Sequence, residues 1–326
     1  MPLKNQEIGS SLPIRQQASI VNETFSEIDK NRNGGDIVLK TPWKALNKAL
    51  LGGFRFGNNI LIAGPSGHGK SYMLTMLEDA FTSELNAHLQ DNFKILHFGW
   101  EMSAVDETVR ALVGRTRIKY EDILSCFTAL DNTSFDLIKN ELRGIAERPI
   151  YYVEKAGTKY DVMKTIYDFQ RKFPDHKLII TMDHTLLTEY SDEQSEVELI
   201  AELGKIFMKV RKDLGCLTIM LGQFNDKIED PRRFTSPVLH YPTKTDIHGS
   251  KQLYHAVDVV LTCYQPALLG IDAYGPKGYT TENLVACHLL KMRKGVPGLI
   301  RLRADFVNGT FNDWIELPTI YGTFND

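Results

Sequence analysis

The chain has 326 residues, 43% of them apolar and 24% charged, with a formal net charge of −3. That composition excludes disordered, collagen-like and disulfide-stapled classes, gives length enough for one large core or two ordinary ones, and neither demands nor excludes nucleic acid. No signal-peptide core and no apolar run of about 18 residues occurs, so membrane insertion and secretion are not expected, and the widely spaced Cys126, Cys216, Cys263 and Cys287 read as reduced core residues of a cytoplasmic protein.

Residues 1–35 differ from the rest: Asn5 to Gln17 is polar, and Asn31-Arg32-Asn33-Gly34-Gly35 is a cluster of breakers. Between them Ala18, Val21, Phe25 and Ile28 recur at helical spacing, the stripe of a short amphipathic helix. That stripe must bury itself on its own domain or on a neighbouring subunit. From Ile37 onward strand-like and helix-like runs alternate. The pattern predicts strands at 59–64, 94–100, 149–153, 177–183, 216–223, 257–264 and 284–290, with helices at 72–89, 104–115, 134–147, 161–173 and 196–214. Strands separated by helices imply parallel βαβ units and a covered central sheet. The stretch 298–314 alternates and contains Asn308-Gly309, a hairpin-turn signal.

Between the first strand and the first of these helices stands Gly64-Pro65-Ser66-Gly67-His68-Gly69-Lys70-Ser71, a full G-x-x-x-x-G-K-[ST] phosphate-binding loop. Its glycines let backbone N–H groups approach phosphate oxygens, and the new helix points its positive end at the same charge. Lys70 can reach the β- and γ-phosphates and the Ser71 hydroxyl can ligate magnesium. A chance glycine-rich turn is the plain alternative, but the flanking strand and amphipathic helix are what the motif requires.

Further candidates stand at strand ends. Asp183 closes an apolar strand and could hold magnesium through water, or simply cap a helix. Glu101 follows another and could deprotonate an attacking water, or merely favour a helix dipole. Gln223 could sense a γ-phosphate or solvate a loop. Lys291-Met292-Arg293-Lys294-Gly295 could meet a phosphate from another subunit, or form a solvated basic turn.

Together these residues resemble the RecA-fold hexameric replicative helicases of the DnaB family and related phage primase-helicases, over roughly residues 36 to 312. Thr41-Pro42-Trp43 through Gly52-Gly53-Phe54-Arg55-Phe56-Gly57 resembles the family's T-G, leader helix and G-G-L-x-x-G. Glu101-Met102-Ser103 with Arg110 resembles S-L-E-M-S…R, and Asp183-His184 the D-H of phage-type members. Gly222-Gln223-Phe224-Asn225 is similar to S-Q-L-N-R. Ile247-His248-Gly249-Ser250 with Leu253 and Asp258 is similar to L-R-G-S-x-x-L-x-x-x-x-D, and Lys291 to Gly295 to K-x-R-x-G.

The resemblance implies an α/β fold: a RecA-like P-loop NTPase core at 36–326, a mostly parallel central β-sheet flanked by helices, and a C-terminal β-hairpin. Residues 1–35 would be an arm whose linker helix packs on an adjacent subunit. It implies ATP and Mg2+, with Lys70 and Ser71 holding phosphate and metal, Asp183 supporting the metal, Glu101 as base and Gln223 as γ-phosphate sensor. Arg293, helped by Lys291, would act in trans in a homohexamer. The function implied is ATP-driven translocation, 5′→3′, on single-stranded DNA at a replication fork, with primase or a helicase loader as partner, in a bacterial or phage-infected cytoplasm. The DNA-gripping loops would be 187–197 and 226–249, with Lys227, Arg232, Arg233, Lys244, Gly249 and Ser250 as contacts, although the first is acidic. Asp226 and His248 replace arginines of the family motifs. Two other readings stay open: a RecA/RadA-type recombination ATPase, and a nucleotide-gated accessory or loader module.

Overall fold

The computed structural model describes residues 14–32, 38–127, 129–183, 195–295 and 297–315. The chain divides into two units at residue 38. In the first, the expected amphipathic helix is α1 (Gln17–Arg32), with Lys30 and Arg32 in its last turn, where cations complement the helix dipole. Its stripe residues Val21, Phe25 and Ile28 are each more than half exposed. Residues 33–35 of the breaker cluster lie outside the described residues. Among the described residues no helix is long and apolar enough to cross a membrane.

The second unit opens with β1 (Val38–Leu39), α2 (Lys44–Ala49) and β2 (Phe54–Arg55), the two strands pairing antiparallel. There follow β3 (Asn59–Gly64), α3 (Lys70–Phe81), β4 (Phe93–Gly99), α4 (Ala104–Thr116), α5 (Tyr120–Leu124), α6 (Asn132–Ala146) and β5 (Ile150–Val153). Then come α7 (Lys159–Lys172), β6 (Lys177–Asp183), α8 (Glu196–Leu214), β7 (Leu217–Gln223), α9 (Pro231–Thr235), α10 (Ser250–Ala256) and β8 (Val259–Thr262). A short antiparallel pair, β9 (Ala273–Tyr274) and β10 (Tyr279–Thr280), precedes β11 (Leu284–Met292), β12 (Gly298–Asp305) and β13 (Thr310–Asp313).

The main sheet has nine strands in the order β13-β12-β11-β8-β3-β7-β6-β4-β5. Those from β8 to β5 all run parallel, and β11, β12 and β13 extend one edge antiparallel. Parallel strands need both faces covered, and β3 shows how. Its Ile60 and Ile62 join a core with Met73, Leu74, Leu77 and Phe81 of α3. The intervening Leu61 and Ala63 join the opposite core with Leu203, Phe207 and Val210 of α8. The period of two sorts one strand between two layers.

Two expectations were too simple. The helix predicted at 72–89 ends at Phe81, and 3₁₀ turns follow over Glu84–Asn92. Asn86 causes the break: it is fully buried, its amide donates to the Ala80 and Lys40 carbonyls, and its oxygen accepts from the Lys40 N–H. Among the cysteines, Cys126 is exposed while the other three are buried.

The two ends of this unit interlock. Buried Trp43 donates its indole N–H to the Phe311 carbonyl at 2.8 Å, and the Asp313 carboxylate accepts from the N–H groups of Lys44 and Ala45 at the start of α2. Trp43→Ala is therefore expected to cost about 3–5 kcal/mol of unfolding free energy, and Asp313→Ala about 1 kcal/mol as a lost helix cap, both read from urea denaturation.

Candidate active site

Sheet register brings the site together. Gly64 pairs with Gln223 across β3 and β7, and Gly99 with Asp183 across β4 and β6. The chain therefore leaves four parallel strands along one edge, where such sheets bind ligands. A cavity of about 570 Å³ opens there, lined by Ser66, Gly67, Gly69, Lys70, Ser71, Glu101, Asp183 and Gln223. Arg110, Tyr72, Gln265, Asn283 and Phe306 are among its other walls.

The phosphate loop could not be built from larger residues. A Cβ on Gly64 would overlap the Cys263 carbonyl oxygen, and Gly69 opens α3 with φ 93° against the Phe311 ring. Pro65 is buried and its carbonyl accepts from the Lys70 ammonium at 2.7 Å. Burial lowers the Lys70 pKa, while Cys263, Asp183 and Glu101 pull it back up. His68 faces inward, 3% exposed and stacked on Tyr264. Its Nδ1 accepts from the Gln265 N–H at 2.9 Å, and its carbonyl accepts from the Cys263 thiol.

Asp183 is 3% exposed. Burial raises its pKa, the Ser71 hydroxyl bonded to it opposes that, and the Glu101 charge adds to the rise. A buried carboxylate beside a hydroxyl and a second carboxylate suits a small divalent cation. Among the described residues no cluster of three or more His, Cys, Asp and Glu could hold a metal alone. Magnesium fits such a sparse set, because it takes one or two carboxylates and completes its shell with phosphate and water.

Glu101 is exposed on the cavity, just past β4. The turn behind it is pinned: Ser103 caps α4 by accepting from the Asp106 N–H, and the Ala104 N–H donates to Glu154. Arg110 sits two turns into α4, with its guanidinium 4.7 Å over the Tyr72 ring. Sequence reading placed Arg110 in a motif without a role and His68 in the phosphate loop, where it faces the core and does not line the cavity. It gave no role to Gln265, Asn283 or Phe306. Only the helical period from Ser103 to Arg110 carried any signal.

Gln223 is half-buried, and its carbonyl accepts from the His248 N–H at 2.9 Å. Nearby, the Asn225 N–H donates to the Asp246 carbonyl at 2.7 Å. The segment 226–249 is thus closed at its base and carries 3₁₀ turns and α9 within it. Arg232 pairs with Asp230 at its own helix start, and Arg233 turns inward to Asp246 at 2.9 Å. Lys227 and Lys244 are exposed. Gly249 precedes α10 and packs on Ile200, and Ser250 begins that helix. His184 and residues 187–194 lie outside the described residues.

Lys291 and Arg293 are elsewhere. β11 runs antiparallel, so Lys291 and Met292 pair with Val260 and Val259 at the amino end of β8, after a bulge between Leu289 and Lys291. Lys291 donates to the Tyr254 carbonyl and lies over that ring. The Arg293 guanidinium is 3.2 Å from Asp258, which also pairs with Arg211 and accepts from the Asn59 N–H. Neither cation lines the cavity.

The family model of the DnaB-like helicase C terminal domain matches residues 38–313. No curated protein matches the chain. One solved ATPase domain is similar with a TM-score of 0.75 at 18% identity, over 90% of this chain and 99% of that one. "The Structure Of A DnaB-Like Replicative Helicase And Its Interactions With Primase" is similar with a TM-score of 0.74 at 19% identity, over 93% of this chain and 68% of that one. At these identities the two structures establish a shared fold.

Burial, reinforced by Lys70, pushes the His68 pKa down to about 4 from the usual 6.5. The bond from Gln265 needs neutral His68, so its contribution is fully present above pH 6.5 and is lost as pH falls toward 4. His68→Gln, which keeps an acceptor and does not titrate, is expected to flatten that fall in thermal melts between pH 4 and 7. The remaining slope belongs partly to His288, held near 4 by burial.

Proposed function

The chain belongs to the DnaB-like helicase C-terminal domain family and is an ATP-dependent replicative DNA helicase; we propose that it works as a ring in which each ATP is held by one subunit and completed by the next. The supporting observation is the division of the cations. Lys70 lines the cavity, whereas Lys291 and Arg293 stand at the opposite edge of the parallel strands, with Arg293 half exposed. A group that cannot serve its own cavity is placed to serve a neighbour's.

In this reading Lys70 and the N–H groups of the loop Gly64–Ser71 hold the phosphates. Ser71 and Asp183 would hold Mg2+, which when bound offsets phosphate charge. Glu101 accepts the proton of the attacking water. Gln223 meets the γ-phosphate and is joined to the segment 226–249 through His248. Arg293 of the next subunit, helped by Lys291, stabilises charge in the transition state.

The ring is a homohexamer and moves 5′→3′ on single-stranded DNA, both by family likeness. Lys227, Arg232, Lys244 and the backbone at Gly249 and Ser250 meet the strand. Arg233, held by Asp246, shapes that segment. Residues 1–35 form an arm whose helix α1 packs on an adjacent copy, and primase or a loader is the cytoplasmic partner.

DNA-stimulated ATPase activity is expected to fall by about 100-fold or more in Lys70→Ala and Glu101→Gln. Mixing Arg293→Ala subunits with wild type should depress turnover below the sum of the two. Full turnover by an Arg293→Ala oligomer sinks the shared-site reading. Strand displacement on a fork with ATP, and not with a non-hydrolysable analogue, separates a motor from a loader.

A further inference from the structure

Four elements that carry site residues meet at one buried polar cluster beside the cavity. It consists of His97 of β4, Glu78 of α3, Glu107 of α4 and Thr181 of β6, each no more than 5% exposed. His97 Nδ1 lies 2.7 Å from Glu78 Oε1, and Nε2 lies 3.1 Å from Glu107 Oε1. The Thr181 hydroxyl donates to the same Glu78 oxygen at 2.5 Å. The Tyr152 ring covers the imidazole from 5.2 Å, and a Cβ on Gly99 would come within 3.1 Å of both His97 and Glu107.

The hydrogen inventory is tight. A neutral imidazole has one N–H and would turn a bare lone pair toward the other carboxylate. With acids on both sides, the ring carries two N–H groups, one toward each carboxylate. Burial disfavours the imidazolium, but the Glu78 charge and the bonds to both acids outweigh it and raise the His97 pKa to about 10. Such a cluster is costly to disturb because each member is desolvated and answers to the others.

Every branch leads to the site within a short span. Glu78 lies two turns along α3 from Lys70 and Ser71, and Glu101 follows His97 by four residues. Arg110 is one helical turn beyond Glu107, and Asp183 follows Thr181 by two. None of these four cluster residues lines the cavity. We propose that His97 is a positioning residue for ATP hydrolysis: its two ring bonds, to the helix of Lys70 and to the helix of Arg110, set the distance from the phosphate loop to Glu101. This rests on the assignment of Glu101 and Lys70 to the hydrolytic site.

The test is steady-state ATPase kinetics of the full chain with DNA, with Glu101→Gln run alongside. In His97→Gln the amide can donate to Glu78 but turns its oxygen toward the Glu107 carboxylate. The kcat is expected to fall about 10- to 100-fold, with KM for ATP within about threefold of wild type. In His97→Gln/Glu107→Gln the second amide donates to that oxygen, and kcat should return to within about threefold of wild type. A residue that served stability alone would lower the melting temperature without this split or rescue. Wild-type kcat in His97→Gln, or a loss that the second substitution does not relieve, overturns the proposal. If the single variant does not fold, the double variant decides: near-wild-type turnover supports the proposal and an inactive folded protein overturns it. A Glu101→Gln protein with normal turnover instead refutes the underlying site assignment, and so is told apart from failure at His97.

Discussion

A strand hydrogen-bonded on both sides cannot slide, and β3 is such a strand. It is buried along its whole length, paired residue for residue with β7 and, over Ile60–Ala63, with β8. Shifting it by one position would exchange Ile60 and Ile62 with Leu61 and Ala63 between two separate cores. That fixed register sets where Gly64 ends, hence where the phosphate loop starts, and which residue of β7 stands beside it. The same constraint, passed through β6 to β4, aligns Asp183 with Gly99 and brings Glu101 to the cavity.

Charge is distributed along the sheet in a matching way. The carboxyl edge sets Glu101 and Asp183 against Lys70 and Arg110, two carboxylates against two cations around one cavity. At the amino edge, Arg211 and Arg293 share Asp258, which also receives a backbone N–H from the first residue of β3. The strand that launches the phosphate loop is thereby tied at its start to the arginine proposed to serve a neighbour's ATP.

Much of this was legible in the residue order because it rests on local physics. The helix predicted at 196–214 matches α8, whose stripe is regular and whose start carries a Ser195–Glu198 capping box. The phosphate loop needed only its own eight residues and their flanks. What the sequence hid depends on partners far along the chain. Asn86 ends a helix by bonding to Lys40, 46 residues away. Arg233 turns inward for Asp246, and Lys291 and Arg293 stand at the far edge because β11 runs against its neighbours. His97 is a lone histidine in an apolar strand, and periodicity gives no hint that Glu78 and Glu107 flank it.

The closed base of the segment 226–249 has a thermodynamic side. A loose loop of that length loses much conformational freedom when it grips anything, and that loss weakens its hold. Here the ends are pinned at Gln223 and Asp246, the interior is wound into short turns, and Arg232 and Arg233 are already neutralised by Asp230 and Asp246. Little ordering remains to be done on contact, and few counterions are displaced. On the proposed reading, each copy's hold on the strand loses little to ordering and depends only weakly on salt.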